Sequence, residues 1–203
     1  MSKVTLIDGT IHPEEVIANA ASICQQSATD SVSNANRLRS MLKHGHYSVL
    51  GFANATFKVE DISLITSVHL IRIAHSRILQ KSYRTCGIDY KITLEDQFHQ
   101  YDFMVNPVTG QLYDDVIESL MASYKSYLCS LKRGTHQENA RYILPTGMAT
   151  ALNMSGNFQM WRHFLKLRLS KHAQWEIREV AEKIQQQLAV IAPTIFGIDN
   201  IVA

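Results

Sequence analysis

The chain has 203 residues, of which 46% are hydrophobic and 19% are charged, a composition typical of soluble globular proteins. Its formal net charge of +2 gives no general case for nucleic-acid binding, and its apolar runs are far shorter than the roughly 20 residues of a membrane-spanning helix. This length suits one sizeable core, so we expect a single domain over residues 1–203.

The three cysteines, Cys24, Cys86 and Cys129, are widely spaced and include no CxxC pair. The sequence therefore predicts neither a disulfide framework nor a zinc site, and we assign no metal ligands. The first ten residues lack the basic start and apolar core of a signal peptide. We therefore expect reduced thiols and a cytoplasmic protein.

Helical spacing and turn signals predict the elements of the first third of the chain. A first helix begins at Pro13 with acidic residues in its first turn, and a polar loop follows over Ser27–Asn34. A short helix over Asn36–Lys43 is ended by Gly45. The partial alternation of apolar and polar residues over Phe52–Glu60 predicts a strand.

A second helix-compatible run extends from Asp61 to about Ile71, and either Asp61 or Ser63 can cap its amino terminus. After a basic stretch, the sequence over Thr85–Thr93 favours extended structure, and Asn106-Pro107 indicates a turn.

The rest of the chain is predicted to be mainly helical. The expected elements are a long helix over Tyr113–Leu131 ended by Gly134, a short helical segment over Glu138–Leu144 stopped by Pro145, extended structure over Met148–Met154, and helices over Asn157–Leu169 and His172–Ile191. With no internal repeat or long linker, this order predicts an α/β (α+β) fold with helices packed on a small antiparallel sheet.

The segment Ser67–Arg84 has the composition of an anion-binding site. Within a dozen residues it places four cations beside two serines and a glutamine; the cations are Arg72, Arg77, Lys81 and Arg84. Because arginine guanidinium groups match phosphate oxygens bidentately, a rigid element of this kind could hold a phosphate. The alternative is a basic surface that faces solvent, as charge runs commonly do.

The same segment carries a family signature. Laid on the pattern R-H-R-x-x-S-x-N-x-x-S-x-R, Arg72, Ser82 and Arg84 occupy matching positions. Four positions depart from it, with Ile73, Ala74, Arg77 and Leu79 where the pattern has His, Arg, Ser and Asn. The pattern is that of the flavin-dependent thymidylate synthases, and the segment resembles this family.

Flanking segments resemble the same family in the same order. Met41–Ser63 is similar to its K-H-G-H segment and the following strand, Asn139–Pro145 to A-R-x-x-L-P, and Phe164–Glu179 to L-R-x-x-x-x-A-Q-W-E-I. The resemblance covers roughly Ala20–Phe196. It implies the family's α/β fold and a homotetramer with sites at the subunit interfaces.

The resemblance also implies a substrate, a pyrimidine nucleotide monophosphate. Ser82, Arg84 and Arg141 match the positions that bind its phosphate, and Arg168 matches the arginine that contacts the pyrimidine carbonyls. A guanidinium at that place would stabilise negative charge developing on the ring as C5 becomes nucleophilic, so Arg168 is also the expected catalytic residue. The chain has no Pro-Cys-His segment, and no cysteine nucleophile is expected.

Two positions facing the base differ from the usual family residues. Gln80 stands where the family usually has Glu, and His69 stands where it usually has Gln. An amide presents both a donor and an acceptor, and an imidazole does the same through its tautomers. Both residues could therefore bind cytosine as well as uracil, and neutral drift is the alternative.

The positions that hold FAD in the family are only partly kept. The matching polar residues are His46, Ser48, Arg72, Asn157 and His172. The departures are Gly51, Ile73, Ala74, Leu79 and His163. Replacing a His-Arg pair by Ile-Ala removes a cation and several hydrogen-bond donors, each charged contact being worth roughly 1.5–3 kcal/mol. Whether FAD binds is therefore left open.

These observations predict a transferase that adds a one-carbon unit from 5,10-methylenetetrahydrofolate to C5 of dUMP or dCMP. Addition of water to the transferred carbon would give a hydroxymethyl group without a reductant, whereas a methyl product needs a hydride. The competing hypothesis is a non-catalytic paralogue that binds a nucleotide and has lost the chemistry.

Overall fold

The structure of the chain, a computed structural model, describes residues 2–25, 31–84 and 114–197. Its strands are β1 (Lys3–Gly9), β2 (Asn54–Ser63), β3 (Arg77–Gln80) and β4 (Ala149–Asn157). They form a four-stranded antiparallel sheet in the order β1-β2-β4-β3. The helices are α1 (Pro13–Gln25), α2 (Ser31–Lys43), α3 (Leu64–Ile71), α4 (Asp114–Lys132), α5 (Gln137–Ala140), α6 (Phe158–Arg168), α7 (Trp175–Ile191) and α8 (Pro193–Phe196), with 3₁₀ turns at Tyr47–Phe52 and Arg141–Ile143. The predicted fold class is confirmed.

The residues group into two compact units. Among the described residues, the α4 unit comprises Asp61–Ser67 and residues 80–84 and 114–151, and the α6 unit comprises residues 2–25 and 31–60, Val68–Leu79 and residues 152–197. Each unit contains its own buried side chains and one group of the predicted site residues.

The core of the α6 unit is built around Trp161. Its ring lies edge-on to Phe57 at 5.0 Å and to Phe164 at 5.7 Å between centroids, and its Nε1 donates to the carbonyl of Ala55 at 3.0 Å. Burial of large apolar side chains contributes roughly 1.5–3 kcal/mol each, so these contacts fix which face of α6 is turned inward. The polar residues of α6 are thereby left on the opposite side.

The α4 unit has a smaller core. Its buried residues are Tyr83, Tyr127, Ala140 and Met148. The Tyr83 hydroxyl donates to the carbonyl of Ala149, and burial raises the pKa of Tyr83 to about 12. Tyr83 therefore stays neutral and anchors the chain that follows β3.

Strand β1, like the short β3, is not predicted by the sequence patterns. It pairs antiparallel with β2, beginning with Lys3 opposite Glu60, and none of its side chains is fully buried. The side chain of Gln187 accepts from the amide of Leu6 at 2.8 Å and donates to the carbonyl of Val4 at 3.0 Å. The exposed edge is thus satisfied by an amide far along the chain, which no local pattern reveals.

Several predicted boundaries are confirmed by the capping geometry. Ser63 Oγ accepts from the amide of Thr66 at 3.0 Å, so Ser63 rather than Asp61 caps α3. Asp61 belongs to β2 and has a φ of 55°. Gly134, just past α4, has a φ of 87°, a conformation that glycine adopts readily.

Other boundaries were predicted incorrectly. Helix α2 begins at Ser31, inside the segment predicted as a loop. Its Asn34 is buried and accepts from Arg37 Nη1 at 2.9 Å, so a polar residue occupies the inward face and masks the helical pattern. Helix α7 begins at Trp175 rather than His172, because the Gln174 side chain caps it by accepting from Ile177 N at 3.1 Å.

Helix α8 is a further short element that the sequence patterns do not predict. The expected extended segment Thr85–Thr93 and the Asn106-Pro107 turn lie outside the described residues. Within the part of the chain that the structure describes, no helix is both long and apolar enough to cross a membrane.

Candidate functional site

Two of the three predicted phosphate-binding residues contact one glutamate, and the third contacts one of those two. Arg84 Nε lies 2.9 Å from Glu138 Oε2, and Arg141 Nε donates to the carbonyl oxygen of Glu138 at 3.0 Å. Ser82 Oγ accepts from the backbone amide of Arg84 at 3.2 Å. We call Ser82, Arg84, Glu138 and Arg141 the Glu138 cluster; it places two guanidinium groups and a hydroxyl in one neighbourhood of the α4 unit.

The local fold explains how residues so far apart in sequence meet. The amide of Lys81 donates to the carbonyl of Ala151 at 2.8 Å, which prolongs the pairing with β4 beyond the end of β3. Tyr83 then points into the core, and its neighbours Ser82 and Arg84 are less buried. The short α5 and the turn after it supply Arg141.

Gln80 is held by two hydroxyl groups. Its Nε2 donates to Ser67 Oγ at 2.9 Å and to Thr150 Oγ1 at 3.3 Å. Ser67 Oγ in turn donates to the carbonyl of Leu64 at 2.7 Å, so toward Gln80 it can only accept. Both amide protons of Gln80 are therefore engaged, and the group it can offer a ligand is the acceptor Oε1.

In the α6 unit, Arg168 and His69 lie together. Arg168 Nη2 donates to the carbonyl of His69 at 3.4 Å, while Arg168 Nε is buried and has no hydrogen-bond partner within the described ranges. A buried donor on a cation without an acceptor is costly, so this guanidinium is well suited to a ligand oxygen.

The imidazole of His69 senses the surrounding charge. Burial lowers its pKa below the usual 6.5, and the positive charges of Arg168 and Arg72 lower that pKa further. Glu176 has the opposite, smaller effect on the pKa. His69 is therefore a neutral imidazole at pH 7, able to donate at one nitrogen and accept at the other.

The α6 unit also contains a cavity of about 560 Å³, which we call the α6 cavity. Its walls are formed by Tyr47, Ala74, His75, Asn157, Gln159, Met160, Arg162, His163 and Lys166. Four of these residues carry basic side chains, and none of these nine is an aspartate or glutamate. The cavity is therefore suited to an anionic ligand.

The predicted cofactor residues divide at this cavity. Asn157 lines it, and Asn157 Oδ1 also caps α6 by accepting from Met160 N at 2.9 Å. His46 and Ser48 are exposed and flank the wall residue Tyr47. Arg72 and His172 are exposed and do not line the cavity.

Two of the four substituted motif positions differ in their surroundings. Ile73 is only 5% exposed and packs in the core, where its side chain offers no donor. Ala74 lies in the cavity wall. The sequence reasoning missed Tyr47, His75, Arg162 and Lys166 as wall residues. The polar stripe of α6 at Gln159, Arg162, His163 and Lys166, with helical spacing, was the signal that could have found them.

The comparison with known families is decisive. The sequence model described as "Thymidylate synthase complementing protein" matches residues 5–194. The chain belongs to this family. The family resemblance seen in the sequence motifs is thereby confirmed.

The curated relatives carry one description. The flavin-dependent thymidylate synthase of Pyrococcus abyssi is 33% identical over 199 residues, covering 93% of this chain and 80% of the relative. That of Corynebacterium glutamicum is 33% identical over 182 residues, covering 82% of this chain and 70% of the relative. Family membership thus extends over nearly the whole chain.

Among solved structures, this chain has the fold of a UMP/dUMP methylase, PolB from Streptomyces cacaoi, whose crystal structure contains bound 5-Br dUMP. The TM-score is 0.76 at 22% identity, and the match covers 97% of this chain and 93% of PolB. The described residues contain no group of three metal-ligating side chains. Because the chain belongs to this family, we interpret the Glu138 cluster and the α6 cavity as candidate ligand sites of a family member.

Proposed function

We propose that this chain transfers a one-carbon unit from 5,10-methylenetetrahydrofolate to C5 of a pyrimidine deoxynucleotide monophosphate, dUMP or dCMP. Its family membership, the thymidylate synthase relatives and the fold of a dUMP methylase support this. The observation that carries the proposal is the Glu138 cluster, because Arg84 and Arg141, 57 positions apart in sequence, both contact Glu138, and Ser82 accepts from the amide of Arg84.

In this proposal the cluster binds the nucleotide phosphate. Two guanidinium groups and a hydroxyl supply charge-assisted donors, the preferred partners of phosphate oxygens. Arg168 contacts the pyrimidine ring, where its buried Nε donates to a carbonyl oxygen. As C5 becomes nucleophilic, negative charge develops on that oxygen, where Arg168 stabilises it. C5 then bonds to the methylene carbon while the bond from that carbon to the folate nitrogen breaks, and the C5 proton is lost.

Base recognition falls to Gln80 and His69. The Gln80 carbonyl is an acceptor with fixed orientation, and it can accept a hydrogen bond from the amino group of cytosine or from the ring imide of uracil. The neutral His69 can complement either base by its choice of tautomer. Product formation must therefore be measured with both dUMP and dCMP to identify the base.

The α6 cavity fits the FAD that the family uses. Its basic, acid-free walls suit a diphosphate, and the exposed ring of Tyr47 and the amide of Asn157 suit the aromatic and polar parts of a dinucleotide. When bound and reduced by an external reductant, FAD would supply the hydride that reduces the transferred carbon to a methyl group. His46 and Ser48, on either side of Tyr47, are further candidates to hold it.

Assembly and location form part of the proposal. We expect a cytoplasmic homotetramer with sites at its subunit interfaces, as the resemblance implies. Light scattering coupled to size-exclusion chromatography measures the mass directly, and a monomer at micromolar concentration would contradict this expectation.

The deciding experiment incubates the pure protein with methylenetetrahydrofolate and either dUMP or dCMP, with and without FAD and a reductant. Mass spectrometry then distinguishes methyl from hydroxymethyl products. We expect a C5-substituted nucleotide with at least one base. If neither base is modified under any condition while calorimetry still detects nucleotide binding, the chain is the non-catalytic nucleotide-binding paralogue instead.

A further inference from the structure

The α6 cavity has lost one cation and contains others in unexpected places. The family motif has Arg at the position of Ala74, and Ala74 lies in the wall of the cavity. The cations that line it are Arg162 and Lys166, both from α6, and the imidazoles of His75 and His163 are also in its walls. The formal positive charge of this cavity therefore comes from α6.

The two α6 cations share one face of the helix, because residues four positions apart lie about one turn above each other. Like charges at this spacing destabilise a helix by a few tenths of a kcal/mol. The sequence of α6 contains no acidic residue that could offset them. A bound anion between these side chains removes the repulsion.

Arg162 and Lys166 differ in how they are held. The Arg162 guanidinium lies 4.8 Å from the centre of the Tyr47 ring, and its Nη1 donates to the carbonyl of Ile195 at 3.4 Å. Lys166 has neither a hydrogen bond nor an ion pair to any residue that the structure describes. Arg162 is thus fixed in place, and Lys166 is available to a ligand.

His75, in the wall of the α6 cavity, has an unusual backbone conformation. Its φ is 65°, in the left-handed region that costs an L-residue other than glycine roughly 1–2 kcal/mol. The turn is fixed by Ser76 Oγ, which donates to the carbonyl of Ile73 at 2.7 Å. Ala74 and His75 both line the cavity, and none of its lining residues is acidic.

We propose that Lys166, assisted by Arg162, takes over the role of the arginine replaced by Ala74 and binds the diphosphate of FAD in the α6 cavity. This inference rests on the proposed function, since it assigns the flavin of that reaction to particular side chains. It also accounts for how a member of this family with an altered flavin motif retains its cofactor.

The test uses the full-length protein, freed of flavin and titrated with FAD, FMN or riboflavin while the anisotropy of flavin fluorescence is followed. Lys166→Ala should weaken FAD binding about tenfold, the low end for loss of one charged contact. Riboflavin, which has no phosphate, should bind both proteins equally. Lys171→Ala, which removes an exposed lysine outside the cavity, is the matched control and should bind FAD like the parent.

A charge relocation makes the test specific. Ala74→Arg added to Lys166→Ala should restore FAD affinity to within a few fold of the parent, because it returns a cation to the cavity wall at Ala74. Unchanged FAD affinity in Lys166→Ala, an equal loss for riboflavin, or no FAD binding by the parent would overturn the inference; in that case Lys166 is a solvated surface cation.

The same preparations separate this inference from the proposed function. Binding of dUMP and dCMP is measured by calorimetry, and C5 substitution by mass spectrometry without flavin. A parent protein that forms a hydroxymethyl nucleotide but binds no FAD refutes the inference alone. Loss of nucleotide binding and of all product refutes the proposed function.

Discussion

The Glu138 cluster and the α6 cavity both concentrate positive charge, but only the cluster contains an acidic partner. In the cluster, Arg84 pairs with the carboxylate of Glu138, and the backbone carbonyl of the same residue holds Arg141. In the cavity, four basic side chains line walls without an aspartate or glutamate. The cations of the Glu138 cluster have partners from Glu138 without a ligand, whereas the cations of the α6 cavity have no carboxylate in the cavity walls to offset their charge.

The difference follows the sequence. Every cation of the cluster stands at a position that matches the family motifs, whereas Ala74 and His163 in the cavity are departures from them. At the cluster an anion has to compete with the carboxylate of Glu138 for Arg84, while in the cavity an uncompensated group gains more from the anion's charge. The comparison therefore predicts that the carboxylate limits binding at the cluster and that binding in the cavity is salt-sensitive.

Arg168 tests the comparison most severely, because it matches the family as the cluster does yet has an unpartnered Nε. Arg168→Gln removes the charge and keeps a donor. Losing a group that stabilises developing negative charge costs about 3–4 kcal/mol, so turnover should fall by two to three orders of magnitude while nucleotide affinity changes much less. Steady-state kinetics and calorimetry measure the two separately. Arg178→Gln is the control, and equal turnover in both variants would remove Arg168 from the chemistry.

Arg141→Ala should weaken the binding of dUMP or dCMP by about 2–4 kcal/mol, the loss expected when a charge-assisted contact to a held anion is removed. The fold should persist, since Arg141 is exposed and outside the core. Isothermal titration calorimetry gives the affinity, and circular dichroism checks the fold. Arg77→Ala is the matched control, because Arg77 is an exposed arginine on β3 that the motif does not assign. Affinity equal to that of the parent would show that the phosphate binds elsewhere.

Glu138→Gln inverts the comparison by making the cluster resemble the acid-free cavity. The Arg84–Glu138 pair is largely solvent-exposed, with side chains 65% and 45% accessible, so it is worth only about 0.5–1 kcal/mol. Removing the carboxylate frees Arg84 for the phosphate, and nucleotide affinity should rise about two- to fivefold. Glu182→Gln, an exposed carboxylate on α7, controls for the change in net charge. Weaker binding would mean that Glu138 chiefly orients Arg84.

Local pattern and motif were enough to predict the fold class. Helices α4 and α6 follow apolar spacing, Asn157 was placed at the boundary that it caps, and Ser63, one of the two caps expected for α3, is the one that caps it. Ser82, Arg84 and Arg141 could be grouped only through the resemblance, because no spacing rule joins segments this far apart in sequence.

The features that sequence reasoning missed depend on distant partners. Strand β1 is completed by Gln187, and α2 begins early because Asn34 is satisfied inside the fold. In the sequence, Lys166 and Arg162 resemble ordinary surface cations. Only the structure shows that they line one cavity with Ala74 and His75. Whether a charge in the α6 cavity is compensated depends on residues from several segments of the chain, and a local sequence pattern does not show which segments meet.

His69 offers the finest test, because its pKa reports the positive potential of the α6 unit. Burial and the charges of Arg168 and Arg72 lower that pKa below 6.5. Between the folded pKa and 6.5 the unfolded chain binds more protons, so the stabilising contribution is complete above pH 6.5 and is lost as the pH falls through the folded pKa. His69→Gln should therefore flatten the acid side of a urea-unfolding profile between these pH values.

The same imidazole should respond to ligands. A bound anion near Arg168 offsets its positive charge, so addition of dUMP should raise the pKa of His69, and Arg168→Gln should raise it even without nucleotide. Proton–nitrogen NMR of the histidine rings follows the titration directly. His163, another α6-unit imidazole but one in the cavity wall, is the internal reference: FAD should shift its resonances more than dUMP does. If nucleotide leaves the His69 titration unchanged, Arg168 does not meet the substrate's charge, and the separation of roles between cluster, arginine and cavity fails at that point.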